Sequence, residues 1–204
     1  MRSMRCAVLM VAVLAAVTVA AHASPNLVQN GSFEDPNVGS GWSASAAPYW
    51  TESTSYGIEV GNASLYDVTG QDQNQICELD SYGNTTIWQS LWTTAGATYD
   101  LSFLTAWRDN SPYTKDDEIL AYWNGNLVAD ITPTWNVMQL SSYTVTAPTN
   151  SSVLTFVAGG ASNTYGDIID GVQVTRATPE LSSGALLLFG MLPVGLGWWR
   201  RRKS

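Results

Sequence analysis

The sequence predicts an all-β domain, a sandwich or barrel of many short antiparallel strands, placed between two apolar ends. Three observations carry this. The chain has 204 residues, of which 45% are hydrophobic and only 13% charged, which suits a folded domain and not a disordered one. Residues 24–177 show no helical periodicity; they run as short alternating stretches separated by turn residues. At each end a basic cluster flanks an unbroken apolar run, so the fold is confined to the middle.

The elements follow in order. Residues 35–54 are rich in turn formers and are expected as a surface loop. Strands are expected over 57–60, 75–80 and 85–92. In 99–107, Tyr99, Leu101, Phe103, Thr105 and Trp107 alternate with Asp100, Ser102, Leu104 and Ala106, so Trp107 belongs with the core set. Asn124-Gly125 separates two β-type runs; this pair favours a type I′ turn, whose twist suits a hairpin. Val153, Thr155 and Val157 alternate with Leu154, Phe156 and Ala158. Near the end, Ile168, Asp170, Val172 and Val174 are read as one face. The expected total is nine or ten strands, with no internal repeat.

Charge excludes several functions. Between Ser24 and Glu180 there are three bases (Arg108, Lys115, Arg176) against all 17 carboxylates, a balance of −14. Nucleic-acid binding depends on Lys and Arg at phosphates, so no nucleic acid is expected as a partner. Docking of this domain onto anionic lipid is excluded on the same ground. His22 is the only histidine, and the cysteines are Cys6 and Cys77. With His22 and Cys6 in a segment expected to be removed, the mature domain lacks the groups for a disulfide, a His/Cys zinc site or a Ser-His-Asp centre. Cys77 is expected as a buried core thiol.

Residues 1–23 read as a secretory signal peptide. Arg2 and Arg5 precede an apolar run that ends at Ala21-His22-Ala23, an A-x-A cleavage pattern. The other end, 178–204, runs from Thr178-Pro179-Glu180-Leu181 through an apolar stretch at about 182–199 to Arg200-Arg201-Arg202-Lys203. That stretch is just long enough for a single transmembrane helix. Trp198 and Trp199 suit the interface, and the basic tail (200–203) belongs in the cytoplasm, with the domain outside. This tail resembles a PEP-CTERM sorting signal, with Pro179 and Glu180 in the motif and Leu181 in place of the second proline. The resemblance implies an exosortase-type processing enzyme as partner. It also implies a transient inner-membrane anchor, then a cell-surface or matrix location and a link to extracellular polysaccharide.

The domain itself, 24–177, carries a second resemblance. Asn26-Leu-Val-Gln-Asn-Gly-Ser-Phe-Glu34, Glu78-Leu79-Asp80-Ser81, Ile87-Trp88-Gln89-Ser90-Leu91, Trp123-Asn124-Gly125 and Asp167-Ile-Ile-Asp170-Gly-Val follow one another as in galactose-binding-domain-like jelly rolls. That group includes many carbohydrate-binding modules. The fold implied is an antiparallel jelly-roll β-sandwich. Glu34 and Asp170, each placed in a terminal strand, would suit a structural Ca²⁺ together with carbonyls around Asn30 and Gly31, and the resemblance implies such an ion. The alternative is that Glu34 hydrogen-bonds the chain end and Asp170 caps a turn.

Sugars present apolar C–H faces that stack on flat rings, and hydroxyls that pair with amides, acids and Arg. In 85–92, Ile87, Gln89 and Leu91 share one face and are read as core. Trp88 and Trp92 are then placed on the outer face, about 13 Å apart at roughly 3.3 Å per residue. With Tyr82, Arg108 and Trp135 they form the expected ligand-binding set. The alternative for the tryptophans is burial under a loop. Arg108, among so many acids, is expected to be paired; the choice lies between a sugar clamp and a structural salt bridge. Asp116-Asp117-Glu118 is expected as a solvated loop; the alternative is a second cation site. A carboxylate glycosidase would need two acids flanking a cleft, and no pair is marked out. The expectation is therefore a non-catalytic, polysaccharide-binding surface protein. The rival is a structural or adhesive matrix protein that uses the same route.

Overall fold

The protein is described by a computed structural model over residues 24–108 and 117–177. The expected signal peptide and the expected sorting tail, with Pro179 and Glu180, lie outside the described residues, as do Lys115 and Asp116. Among the described residues no helix is long and apolar enough to cross a membrane.

Among the described residues eleven strands form two antiparallel sheets. The first sheet holds six: β1 (Trp42–Ser45), β3 (Ile58–Asn62), β4 (Gln75–Glu78), β11 (Ile168–Arg176), β6 (Thr98–Ala106) and β9 (Gln139–Thr146), side by side in that order. The second holds five: β2 (Thr51–Glu52), β5 (Thr86–Trp92), β10 (Ser151–Gly159), β7 (Glu118–Trp123) and β8 (Asn126–Ile131). A single 3₁₀ turn, Ala63–Leu65, is the only helical element among the described residues.

The all-β expectation holds, with three corrections. The presumed loop at 35–54 contains β1 and β2; its turn residues mask two strands of four and two residues. Strand β9 was not foreseen: its Ser/Thr-rich sequence lies at the edge of the sheet and is mostly exposed, so no apolar face marks it. Finally, β11 does not keep one face throughout. Its register with β6 shifts between Asp170 and Gln173, and Gly171 takes φ +55°. Such a bulge reverses the inward parity. Ile168 therefore packs outside the sheet, while Ile169, Val172 and Val174 all enter the main core.

That core lies between the sheets. Phe103 and Phe156 meet edge to face with centroids 4.9 Å apart, and Trp50 closes on Phe33 and Phe156. Each fully buried aromatic of this kind contributes about 3–5 kcal/mol against truncation. The hairpin at Asn124-Gly125 forms as expected, with φ +51° and +77° and Trp123 paired to Asn126. Trp107 and Cys77 are buried, also as expected.

A second, smaller apolar cluster lies on the outer side of the six-stranded sheet. Tyr66, Val68, Ile76, Ala106, Met138 and Ile168 build it. Segment 63–74 roofs it and is tied to the 136–138 segment through Thr69 N–H to Asn136 C=O (3.0 Å) and Met138 N–H to Thr69 C=O (2.8 Å). The roof leaves the neighbouring part of the sheet face open, and a pocket forms there.

Candidate functional site

The pocket begins with two acids. Glu59 on β3 and Glu78 on β4 are direct cross-strand partners. Their neighbours Ile58, Val60, Cys77 and Leu79 fill the core, so by alternation both carboxylates face the outer side of the sheet, Glu59 on the pocket floor and Glu78 fully buried against Arg108. Like charges directly opposite one another destabilise a sheet unless they are compensated. Here each is. Arg108 Nη1 donates to both oxygens of Glu78 (3.1 and 3.0 Å), and the Gly166 N–H donates to Glu78 Oε1 at 2.7 Å. The Tyr66 hydroxyl donates to Glu59 Oε1 at 2.7 Å, and the Ser81 hydroxyl to Glu59 Oε2.

Burial pushes the Glu78 carboxyl well above the usual range, with Arg108 pulling it back and Glu59 adding to the rise. Burial, then Glu59, likewise raises the Tyr66 phenol. The Arg108 guanidinium lies between two rings, 4.7 Å from the Tyr66 centroid and 4.4 Å from that of Tyr165. Stacked and charge-paired, it is held rigid. Trp42 and Tyr82 stand at the rim in an edge contact of 6.5 Å, both largely exposed. Leu65, Ser81 and Thr164 complete a hollow of about 410 Å³.

The expected ligand-binding set does not form one site. Tyr82 and Arg108 line this pocket. Trp88 and Trp92 lie on the outer face of the other sheet, in a groove with Tyr49. Trp135 is exposed on a third segment, its carbonyl accepting the Trp107 N–H at 2.9 Å. The facing of Trp88 and Trp92 is as expected: Ile87 and Leu91 are buried, Trp88 is half-buried, and Trp92 is 86% exposed. For Arg108 the salt bridge is present: its Nη1 pairs with Glu78, and its guanidinium face stacks on Tyr66 and Tyr165. The sequence reading missed Glu59, Tyr66, Glu78, Tyr165 and Trp42. One signal was present: Glu78 interrupts the apolar run Ile76-Cys77-Glu78-Leu79, which marks a buried acid with a partner elsewhere.

Two other acidic places lie apart from this pocket. Glu34 is not in a strand; its segment runs beside β11, with Leu27 N–H on Val174 C=O (2.8 Å) and Val172 N–H on Gly31 C=O (2.9 Å). Glu34 Oε1 accepts the N–H groups of Asn74 and Gln75, both at 2.7 Å, so it ties down the roof rather than the chain end. Asp170 Oδ2 accepts the Asp72 N–H at 2.6 Å, while its Oδ1 is buried with no partner. Burial, then Asp72 and Glu34, raises Asp170 to about 8. The carbonyls of Asn30 and Gly31 already accept from Trp50 Nε1 and Val172 N–H.

The second place corrects the solvated-loop expectation for 116–118: Asp117 is buried. Asp167 nearby is also buried, and burial, then Asp117 and Asp80, raises it to about 9. Among the described residues no group of three or more His, Cys, Asp or Glu side chains is placed to hold a metal ion.

No family model matches this sequence. Two curated proteins are similar, both multifunctional-autoprocessing repeats-in-toxin proteins. The one from Vibrio cholerae serotype O1 is 31% identical over 161 residues, covering 77% of this chain; that from Vibrio vulnificus is 29% identical over 152 residues, covering 73%. The chain spans only 3% of the length of either. Among solved structures, the Stig cyclase Fisc from Fischerella sp. TAU, in complex with an indole derivative, superposes with a TM-score of 0.57 at 12% identity, over 78% of this chain and all of the cyclase. TmCBM61 in complex with β-1,4-galactotriose gives a TM-score of 0.50 at 20% identity, over 76% of this chain and all of the module. The likeness is one of fold: a two-sheet antiparallel jelly-roll sandwich, as the resemblance implied. A cyclase shares it, so the fold alone does not select a function.

Proposed function

We propose that this chain is an exported, non-catalytic carbohydrate-binding protein of the cell surface or extracellular matrix, and that the pocket floored by Glu59 is its glycan site. One observation carries the reading: exposed Trp42 and Tyr82 stand over a rigid, hydrogen-bonded polar floor. Large rings that add nothing to a core, set beside fixed acceptors, are what the C–H faces and hydroxyls of a sugar require. The fold is one in which TmCBM61 was solved with β-1,4-galactotriose bound. Glu59 and Glu78 sit on neighbouring strands of one sheet and are occupied by donors. A glycosidase pair instead flanks the scissile bond from two sides. Export rests on the 1–23 signal, and sorting by an exosortase-type enzyme rests on the 178–204 tail; both are part of the proposal.

Calcium is part of it too. The observation that favours it is the Asp170 carboxylate, whose buried Oδ1 accepts no hydrogen bond and is a hard oxygen donor. Such an ion would pin the roof segment and the N-terminal segment against β11. The test of the main reading is retention of the full chain on the host's own exopolysaccharide. Retention that Tyr82→Ala weakens supports it; no retention, with tryptophan fluorescence unchanged, rejects it. A second reading is the structural spacer. It draws on the likeness to a small stretch of very large toxins, and it expects folding without any glycan retention.

A further inference from the structure

A groove on the opposite sheet has no part in the pocket. It measures about 340 Å³ and runs along β5 and β2 on the outer face of the five-stranded sheet. Tyr49, Trp88 and Trp92 supply its rings; Gln29, Thr51 and Ser90 supply amide and hydroxyl groups between them. Tyr49 is 63% exposed and Trp92 86%. Single exposed apolar residues are ordinary, but three aromatic rings in one hollow are not scattered singles. The wall is rigid. Gln89 turns inward and binds the backbone of Gln29 twice, accepting its N–H at 2.8 Å and donating to its C=O at 2.9 Å, which fixes the N-terminal segment as one bank. None of the lining side chains is Asp, Glu, Lys or Arg, in a domain (24–177) that carries 16 carboxylates against three bases.

We propose that this groove is a second carbohydrate site, taking an internal stretch of an uncharged polysaccharide chain, and that the domain is therefore bivalent. The proposal rests on the carbohydrate reading of the pocket. The two sites lie back to back, with the core between them, so one molecule joins two polysaccharide strands. Rings separated by hydroxyl and amide groups match alternating C–H faces and hydroxyls along a glycan; an apolar protein segment would leave those polar groups without partners. The missing charge sets the class: binding here depends little on salt.

The test uses the full chain in native affinity gels containing neutral β-1,4-galactan, xylan or β-glucan at low and high salt, with light scattering to detect cross-linked polysaccharide. Trp92→Ala and Tyr49→Ala are the groove variants, chosen because side chains this exposed do not support the core; Tyr82→Ala is the pocket variant. Each site's loss is expected to weaken retention about tenfold, as for one aromatic anchor, and only the unaltered chain is expected to cross-link. If Trp92→Ala leaves retention unchanged while Tyr82→Ala abolishes it, the groove is not a site and the pocket reading stands. If no polysaccharide is retained, both fall. If Trp92→Ala turns a dimer into a monomer, the groove is a contact between copies and the proposal is overturned.

Discussion

Replacing Arg108 by alanine removes the cation that balances Glu78. The Glu78 side chain is fully buried and that of Arg108 is 17% exposed, so the pair is an interior one. Breaking such a pair from one side costs about 3–5 kcal/mol, because the remaining charge has no compensation. The Gly166 N–H stays on Glu78 Oε1 at 2.7 Å, which places the expected loss near the lower end, about 3 kcal/mol. For a domain of this size that is a fall in Tm of roughly 6–12 °C. The loss also has a pH signature. Burial raises the Glu78 carboxyl, so its protonated form is the stable one in the folded state once Arg108 is gone. The deficit of the variant is smallest at acid pH, where Glu78 is protonated, and widens as pH rises through its folded value. Urea unfolding of the full chain and of Arg108→Ala at several pH values reads both quantities. A loss below about 1 kcal/mol, flat with pH, would refute the reasoning, since that is how an exposed ion pair behaves.

Three further outcomes are expected. In chelator, stability should decline as pH rises from about 4 towards 9, because Asp170 (raised to about 8) and Asp167 (raised to about 9) are protonated in the fold but ionised in the unfolded chain; added Ca²⁺ should recover part of the loss in the parent but less in Asp170→Asn, and a stability that rises across this range would contradict the assignment. Phe103→Ala should cost about 3–5 kcal/mol in chemical denaturation, against under about 0.5 kcal/mol for Trp92→Ala, because the first ring is wholly buried and the second barely touches the protein. Gly31→Ala should cost about 1–3 kcal/mol, since its new Cβ would overlap the Val172 carbonyl oxygen where the N-terminal segment meets β11; a melting curve unchanged from the parent would show that this backbone contact is loose.

What could be read in advance follows from where the periodicity is regular. Strand β5 alternates without a break, so the outward facing of Trp88 and Trp92 followed from sequence alone. Asn124-Gly125 fixed its hairpin because both positions need positive φ. In β11 the same alternation misled, since a bulge at Gly171 swaps the faces halfway along and no rule of period two contains it. The pocket was not legible as a unit. Trp42, Glu59, Tyr66, Arg108 and Tyr165, with Glu78 buried against Arg108, come from separate segments, joined only by strand register and by the roof over the small outer cluster. Arg108 was recognised as a paired base; its partner was not, because sequence gives no distance between 78 and 108.

The most direct measurement is an isothermal calorimetric titration of the host's exopolysaccharide fragments into the full chain, repeated with Trp42→Ala and Tyr82→Ala. Sugar stacking at the rim predicts saturable heat from the parent, and affinity reduced about tenfold or more in each variant while their melting temperatures stay within a few degrees of the parent. Equal affinity in all three proteins would show that the sugar binds elsewhere, and the pocket would lose its assigned role.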